Sequence, residues 1–145
     1  MSHPVLRVQL FGDFHLTYDN RPVAGVHSAR LQSLLTYLIV HADAPQLRPR
    51  VAFVLWPDAP ESHALNNLRQ FLYQLRHALP TAARFLVIDA NTVYWQTDEA
   101  QEIDVQRFRH LLYEADRAAA QGAATAVRSC LEQAASIYQG DLLPG

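Results

Sequence analysis

Residues Glu61 to Leu79 read ESHALNNLRQFLYQLRHAL, and the rest of the chain is organised around them. Leu65, Leu68, Leu72, Leu75 and Leu79 recur at alternating steps of three and four, the spacing of one stripe on an α-helix. Ala64, Phe71 and Ala78 widen that stripe. The opposite face carries His63, Asn66, Gln70, Tyr73, Gln74 and His77, with Arg69 and Arg76 on the shoulder between the faces. A merely solvated face usually mixes Glu and Lys. Here amides, which donate and accept at once, are flanked by arginines, a composition suited to base edges and phosphates. On this helix alone, the polar outer face of a small bundle is an equally good reading.

Outward from this helix, the preceding segments resolve into short elements. Asp58 and Glu61 have the spacing of a capping box at its start. Before them Pro49 suits a first helical turn, Val51, Val54 and Leu55 give a short helix, and Pro57 ends it. Leu47-Arg48 reads as an extended connector. Ser28 is placed to cap a helix running to about Ala42, with Leu31, Leu34, Leu35, Leu38 and Ile39 on its apolar face. Helix, tight turn, helix is the order of a helix-turn-helix unit. At the N-terminus, LRVQLF (6–11) and Phe14–Tyr18 alternate as half-buried strands, and Arg21-Pro22-Val23 adds a short third, so an antiparallel meander is expected.

After the long helix, Phe85–Ile88 and Val93–Trp95 flank the turn Asp89-Ala90-Asn91 as a hairpin, a wing whose tip carries no cation. Asp98 to Glu102 is polar and acidic and marks the expected domain boundary. Asp104 is placed to cap a helix from Val105 to about Gln121 with Phe108, Leu111, Leu112 and Ala115 along one stripe, and Gly122 breaks it. Ala123–Tyr138 follows as a second helix, with Val127, Leu131, Ala134 and Ile137 on one face. The pair forms an αα-hairpin like one unit of a helical repeat.

Charge divides the chain in the same place. Residues 1–97 hold eight arginines against six carboxylates, and residues 98–145 hold four against eight. Only the first part suits a polyanion, and with no lysine in the chain every formal side-chain cation is a guanidinium. At 145 residues and half hydrophobic, the chain can bury a core. The single cysteine, Cys130, excludes an intramolecular disulfide and reads as a small core residue. No apolar run reaches the roughly 20 residues of a membrane span, and no signal peptide is visible. No phosphate loop, HExxH or paired-cysteine pattern occurs. His63 and His77 lie roughly 21 Å apart along a helix axis, too far for one metal. No enzyme activity, metal or cofactor is expected.

Five stretches resemble one bacterial family: LRVQLFGDFHL (6–16) with RPV (21–23); ARLQSLLTYLIVH (29–41); VLWPD (54–58); NNLRQFLYQLRHAL (66–79); and IDVQRFRHLL (103–112) with YQGDLLPG (138–145). In this order they are similar to transcriptional activators of the Streptomyces antibiotic regulatory protein (SARP) type. The resemblance implies an α+β fold: an OmpR/PhoB-like winged helix-turn-helix over 1–98, with the meander and wing, then the first TPR-like helices of a bacterial transcriptional activator domain over 99–145. It implies a cytoplasmic, sequence-specific activator whose recognition helix, about 60–79, enters the major groove of double-stranded promoter DNA. Asn66, Arg69, Gln70, Tyr73, Gln74 and His77 would then face DNA, with Asn66 and Gln70 on base edges and Arg69 and Arg76 on phosphates. Arg48 would contact the backbone. Loop 57–61 would meet RNA polymerase. Similar proteins bind direct repeats, often as head-to-tail pairs, so a homodimer is expected. The family continues past GDLLPG through further helices, so the native chain is expected to extend beyond Gly145. The alternative is a winged-helix module that docks a protein partner rather than DNA.

Overall fold

A computed structural model describes residues 4–98 and 100–138. In chain order its elements are β1 (Leu6–Gln9), β2 (His15–Tyr18), β3 (Arg21–Pro22), α1 (Ala29–Val40), β4 (Gln46–Leu47), α2 (Arg48–Leu55), α3 (Glu61–Ala78), α4 (Ala82–Phe85), β5 (Leu86–Ile88), β6 (Thr92–Trp95), β7 (Gln101–Ile103), α5 (Asp104–Ala120) and α6 (Ala124–Ile137). The described residues thus form a mixed α+β structure with six helices and two sheets. They separate into two compact units, residues 4–20 with 100–138 and residues 21–98. Residues 4–20 group with the C-terminal segment rather than with the long helix. The reason is β7, which the sequence reading treats as a polar link. It pairs in parallel with β1, Leu6 opposite Gln101 and Val8 opposite Ile103.

In the first unit β1 also pairs antiparallel with β2, Val8 opposite Leu16. Asp19 and Asn20 follow β2 with positive φ, a conformation those two residue types tolerate in tight turns. Leu6, Val8, Leu10, Leu16 and Ile103 are buried, as are Val105, Leu111, Ala115 and Ala118 of α5. Leu112 turns outward, so the stripe of α5 is narrower than expected. Phe11 makes an edge contact with Phe108 at 5.2 Å and a tilted one with Tyr138 at the same distance. Asp104 is not the cap. Ile103 holds that position, and Asp104 is the first helical residue. Its carboxylate accepts N–H bonds from Leu10 at 3.0 Å, Phe11 at 2.9 Å and Val105 at 2.8 Å, tying the end of β1 to the positive end of α5. On α6 only Ala134 is fully buried, while Val127, Cys130 and Ile137 are half-buried. Leu131 is exposed, so Cys130 holds the place in the stripe that the spacing assigns to Leu131. The motif after Tyr138, QGDLLPG, lies outside the described residues.

The second unit is built on α1 and α3. The Ser28 hydroxyl caps α1 by accepting from Leu31 N at 3.1 Å, and Leu31, Leu34, Leu35, Leu38 and Ile39 are buried. Val51 and Ala52 of α2 and Ala64, Leu68, Leu72 and Leu75 of α3 join them, with Leu79, Phe85, Val93 and Trp95. Three features depart from the periodicity. Val54 and Phe53 of α2 face outward, because an eight-residue helix buries a face only two residues wide here. No Asp58 side chain caps α3, whose N-cap is Pro60. Phe85 closes the one-turn helix α4 instead of opening a strand.

The second sheet runs β4-β6-β5, with β4 and β5 each antiparallel to β6. Phe85 stacks on Trp95 at 5.7 Å at its base. Asp43, at φ 65°, clasps the loop after α1 to the end of β6: its carboxylate accepts from Thr97 N at 2.9 Å and Thr97 Oγ1 at 2.7 Å.

Candidate nucleic-acid interface

Because α3 buries Ala64, Leu68, Leu72 and Leu75 on one side, its other side is fixed outward. Asn66, Arg69, Gln70, Tyr73, Gln74, Arg76 and His77 are all exposed. From Asn66 to His77 this face runs about 16 Å along the axis. Within it the Tyr73 and His77 rings lie 4.0 Å apart, and His77 Nδ1 is 2.9 Å from the Tyr73 carbonyl oxygen, so the two side chains form one plate. Arg69 Nη2 donates to Asn66 Oδ1 at 2.9 Å, which orients the guanidinium along the helix. Gln70, Gln74 and Arg76 have no hydrogen-bond partner among the described side chains, and their donors and acceptors are open to a ligand.

The shoulder of α3 forms one wall of an open groove of about 550 Å³. Arg48 and Pro49 at the start of α2, Ser62, Asn66 and Arg69 on α3, and Asn91 at the tip of the β5–β6 hairpin line it. Three residues singled out from the sequence, Arg48, Asn66 and Arg69, therefore share one concave surface. Gln70, Tyr73, Gln74, Arg76 and His77 lie outside its lining. Leu65, expected in the apolar stripe, is half-buried and belongs to the groove instead.

Arg48 is held at both ends: its backbone N–H donates to the Asn91 carbonyl at 2.9 Å, and its Nη1 to the Asp89 carbonyl at 3.2 Å. That leaves part of the guanidinium fork for an outside acceptor while fixing its direction. Pairing of β4 with β6, Leu47 opposite Thr92, brings the hairpin tip beside the start of α2. The sequence reading missed that pairing, and with it Ser62 and Asn91. The only signal for Asn91 is its place in an Asp-Ala-Asn turn.

Arg50 is exposed on the outer face of α2, two residues from Arg48. Arg30 sits 5.8 Å over the Trp56 ring, within cation–π range. Trp56 itself is mostly buried, edge-on to Phe71 at 5.1 Å. Among the described residues no group of three or more His, Cys, Asp or Glu is placed to hold a metal, and no helix is long and apolar enough to cross a membrane.

No protein-family model and no curated protein matches the chain. A solved structure does: Mycobacterium tuberculosis EmbR in complex with a low-affinity phosphopeptide, at 21% identity and a TM-score of 0.77. The match covers 97% of this chain and 38% of that one. The chain has an EmbR-like fold.

Proposed function

We propose that this chain is the DNA-reading front of a transcriptional activator of SARP type. In this reading residues 21–98 form the core of a winged helix-turn-helix, with α2 and α3 as the two helices and the β5–β6 hairpin as the wing. The single observation that carries it is the outward face of α3. Asn66, Gln70, Tyr73, Gln74 and His77 stand in line there, flanked by Arg69 and Arg76, and Arg69 lines the groove that holds Arg48. Asn66 and Gln70 are assigned to base edges, and Arg48, Arg69 and Arg76 to phosphates. The fold shared with EmbR, together with the five motif stretches, supports this architecture. The role is binding rather than catalysis. Promoter DNA carrying direct repeats, RNA polymerase at loop 57–61 and a second copy of the chain are the partners that follow, and α5 and α6 would begin the TPR-like activator domain.

The test is fluorescence anisotropy against a randomised duplex pool, titrated with salt. Arg69→Ala with Arg76→Ala should weaken binding roughly ten- to hundredfold at low salt and flatten the log–log salt slope by about 2, with melting unchanged. An unchanged slope would remove α3 from the phosphate contacts. One observation favours the protein-docking alternative: Leu47, Phe53 and Val54 are 58%, 67% and 48% exposed on and beside α2. Absence of DNA binding at low salt in a longer chain that dimerises would decide for it.

A further inference from the structure

We propose that the first unit contains a binding site for a small organic anion, a metabolite bearing a carboxylate or phosphate. An open cavity of about 800 Å³ lies wholly within that unit. Its size falls in the range of small-molecule pockets, about 300–1,000 Å³. The polar face of the β2-β1-β7 sheet supplies one side, through His15, Thr17, Arg7 and Glu102. The first turns of α5 supply another, through Gln106, Arg107 and His110, and Ile137 of α6 adds an apolar surface.

Formal charges in the lining balance, Arg7 and Arg107 against Glu102 and Asp104, so unused hydrogen-bonding capacity rather than net charge selects the ligand. Both carboxylates that line it are already engaged. Glu102 Oε2 accepts from Arg7 Nε at 2.9 Å, and Arg7 also donates to Asn20 Oδ1. The Asp104 carboxylate accepts the N–H groups of Leu10, Phe11 and Val105. What remains are donors. Arg107 is exposed and has no partner among the described residues. His110 Nε2 lies 4.0 Å from Glu114 Oε1, beyond hydrogen-bond distance, and His15 is exposed on the sheet. The side-chain Nε2 of Gln106 is buried with no acceptor, which is costly unless something supplies one. A ligand that brings acceptor oxygens would satisfy Gln106 and take the Arg107 fork. Val8 and Ile137 offer an apolar contact beside those donors, which suits an organic body over a bare inorganic ion. This site does not depend on the DNA reading, because none of its residues lies on α2, α3 or the hairpin.

The probes are citrate, adenosine monophosphate and a mixed-sequence DNA duplex, each titrated into the isotope-labelled chain and followed by NMR. Citrate or the nucleotide should give saturable shifts at the Gln106 side-chain amide, Arg107, His15 and His110. Arg107→Gln should weaken that binding roughly tenfold or more, while Arg128→Gln, which removes an exposed arginine of the same unit outside the cavity, should not. His110→Gln provides a second lesion in the cavity should the first variant fold poorly. Three results would overturn the proposal: shifts that stay linear without saturating, equal weakening by Arg107→Gln and Arg128→Gln, or movement of these signals by the duplex alone. The last would make the cavity wall a nucleic-acid backbone contact.

Discussion

Helices α3 and α6 are both amphipathic by sequence, yet they end differently. Helix α3 buries Ala64, Leu68, Leu72 and Leu75 and leaves outward a face of amides, arginines and an aromatic plate. Helix α6 buries only Ala134 and leaves Leu131 47% exposed. A helix whose apolar stripe is largely covered is free to spend its other face on recognition. A helix whose stripe is half covered draws little stability from its own unit. The largest expected effect tests this contrast. Leu72→Ala should destabilise the chain by about 3 kcal/mol, from lost transfer energy and the cavity left behind. Leu131→Ala should change it by about 0.5 kcal/mol or less, as for other surface substitutions. Urea denaturation of the two variants measures both. Equal losses would mean that α6 is covered more completely than its exposure indicates.

A second contrast concerns two aspartates that hold loops, Asp43 in one unit and Asp104 in the other. Asp43 is exposed, and its carboxylate accepts from Thr97. Asp104 is half-buried and serves three backbone amides, one of them on the fully buried Leu10. Asp104→Ala should therefore cost about 2–3 kcal/mol, because two β1-end amides lose a charged acceptor together. Asp104→Asn keeps one oxygen in place and should cost about half as much. Amide exchange at Leu10 and Phe11 reads the effect locally. Both amides should open early in the alanine variant, while amides within α3 follow global stability.

These cases also show what the sequence could reveal. The four long helices are legible because their stripes repeat over several turns, and the structure places α1, α3, α5 and α6 within a residue or two of the expected bounds. Burial of α3 then forces Asn66, Gln70 and their neighbours outward, so much of the candidate recognition face could be read from periodicity. Strands β4 and β7 could not be. Each is two or three residues long, and its partner lies far along the chain, Leu47 against Thr92 and Gln101 against Leu6. Those two pairings carry the consequences that were missed. One brings Asn91 to Arg48 and so builds the groove, and the other joins residues 4–20 to the C-terminal unit. The outward turn of Phe53, Val54 and Leu131 was likewise invisible, because apolar identity gives no direction on a short or half-covered helix.

A third contrast, smaller than that at Asp104, lies where α5 gives way to α6, and there the sequence was sufficient. Gly122 has φ 71°, and its N–H bonds to the Ala119 carbonyl at 3.1 Å. The following Ala123 N–H reaches back to the Ala118 carbonyl at 2.9 Å. These are the two bonds of a Schellman stop, and they require a left-handed residue at position 122. A Cβ built there would meet nothing within 4 Å, so the cost of a side chain is torsional and not steric against neighbours. Gly122→Ala should destabilise the chain by about 1 kcal/mol, whereas Gly122→Asn, whose side chain tolerates this conformation better, should cost less. Thermal melts of the two variants separate the explanations. If alanine and asparagine cost the same, the penalty does not arise from the left-handed backbone, and the stop is held by the packing of α5 on α6 rather than by its own turn.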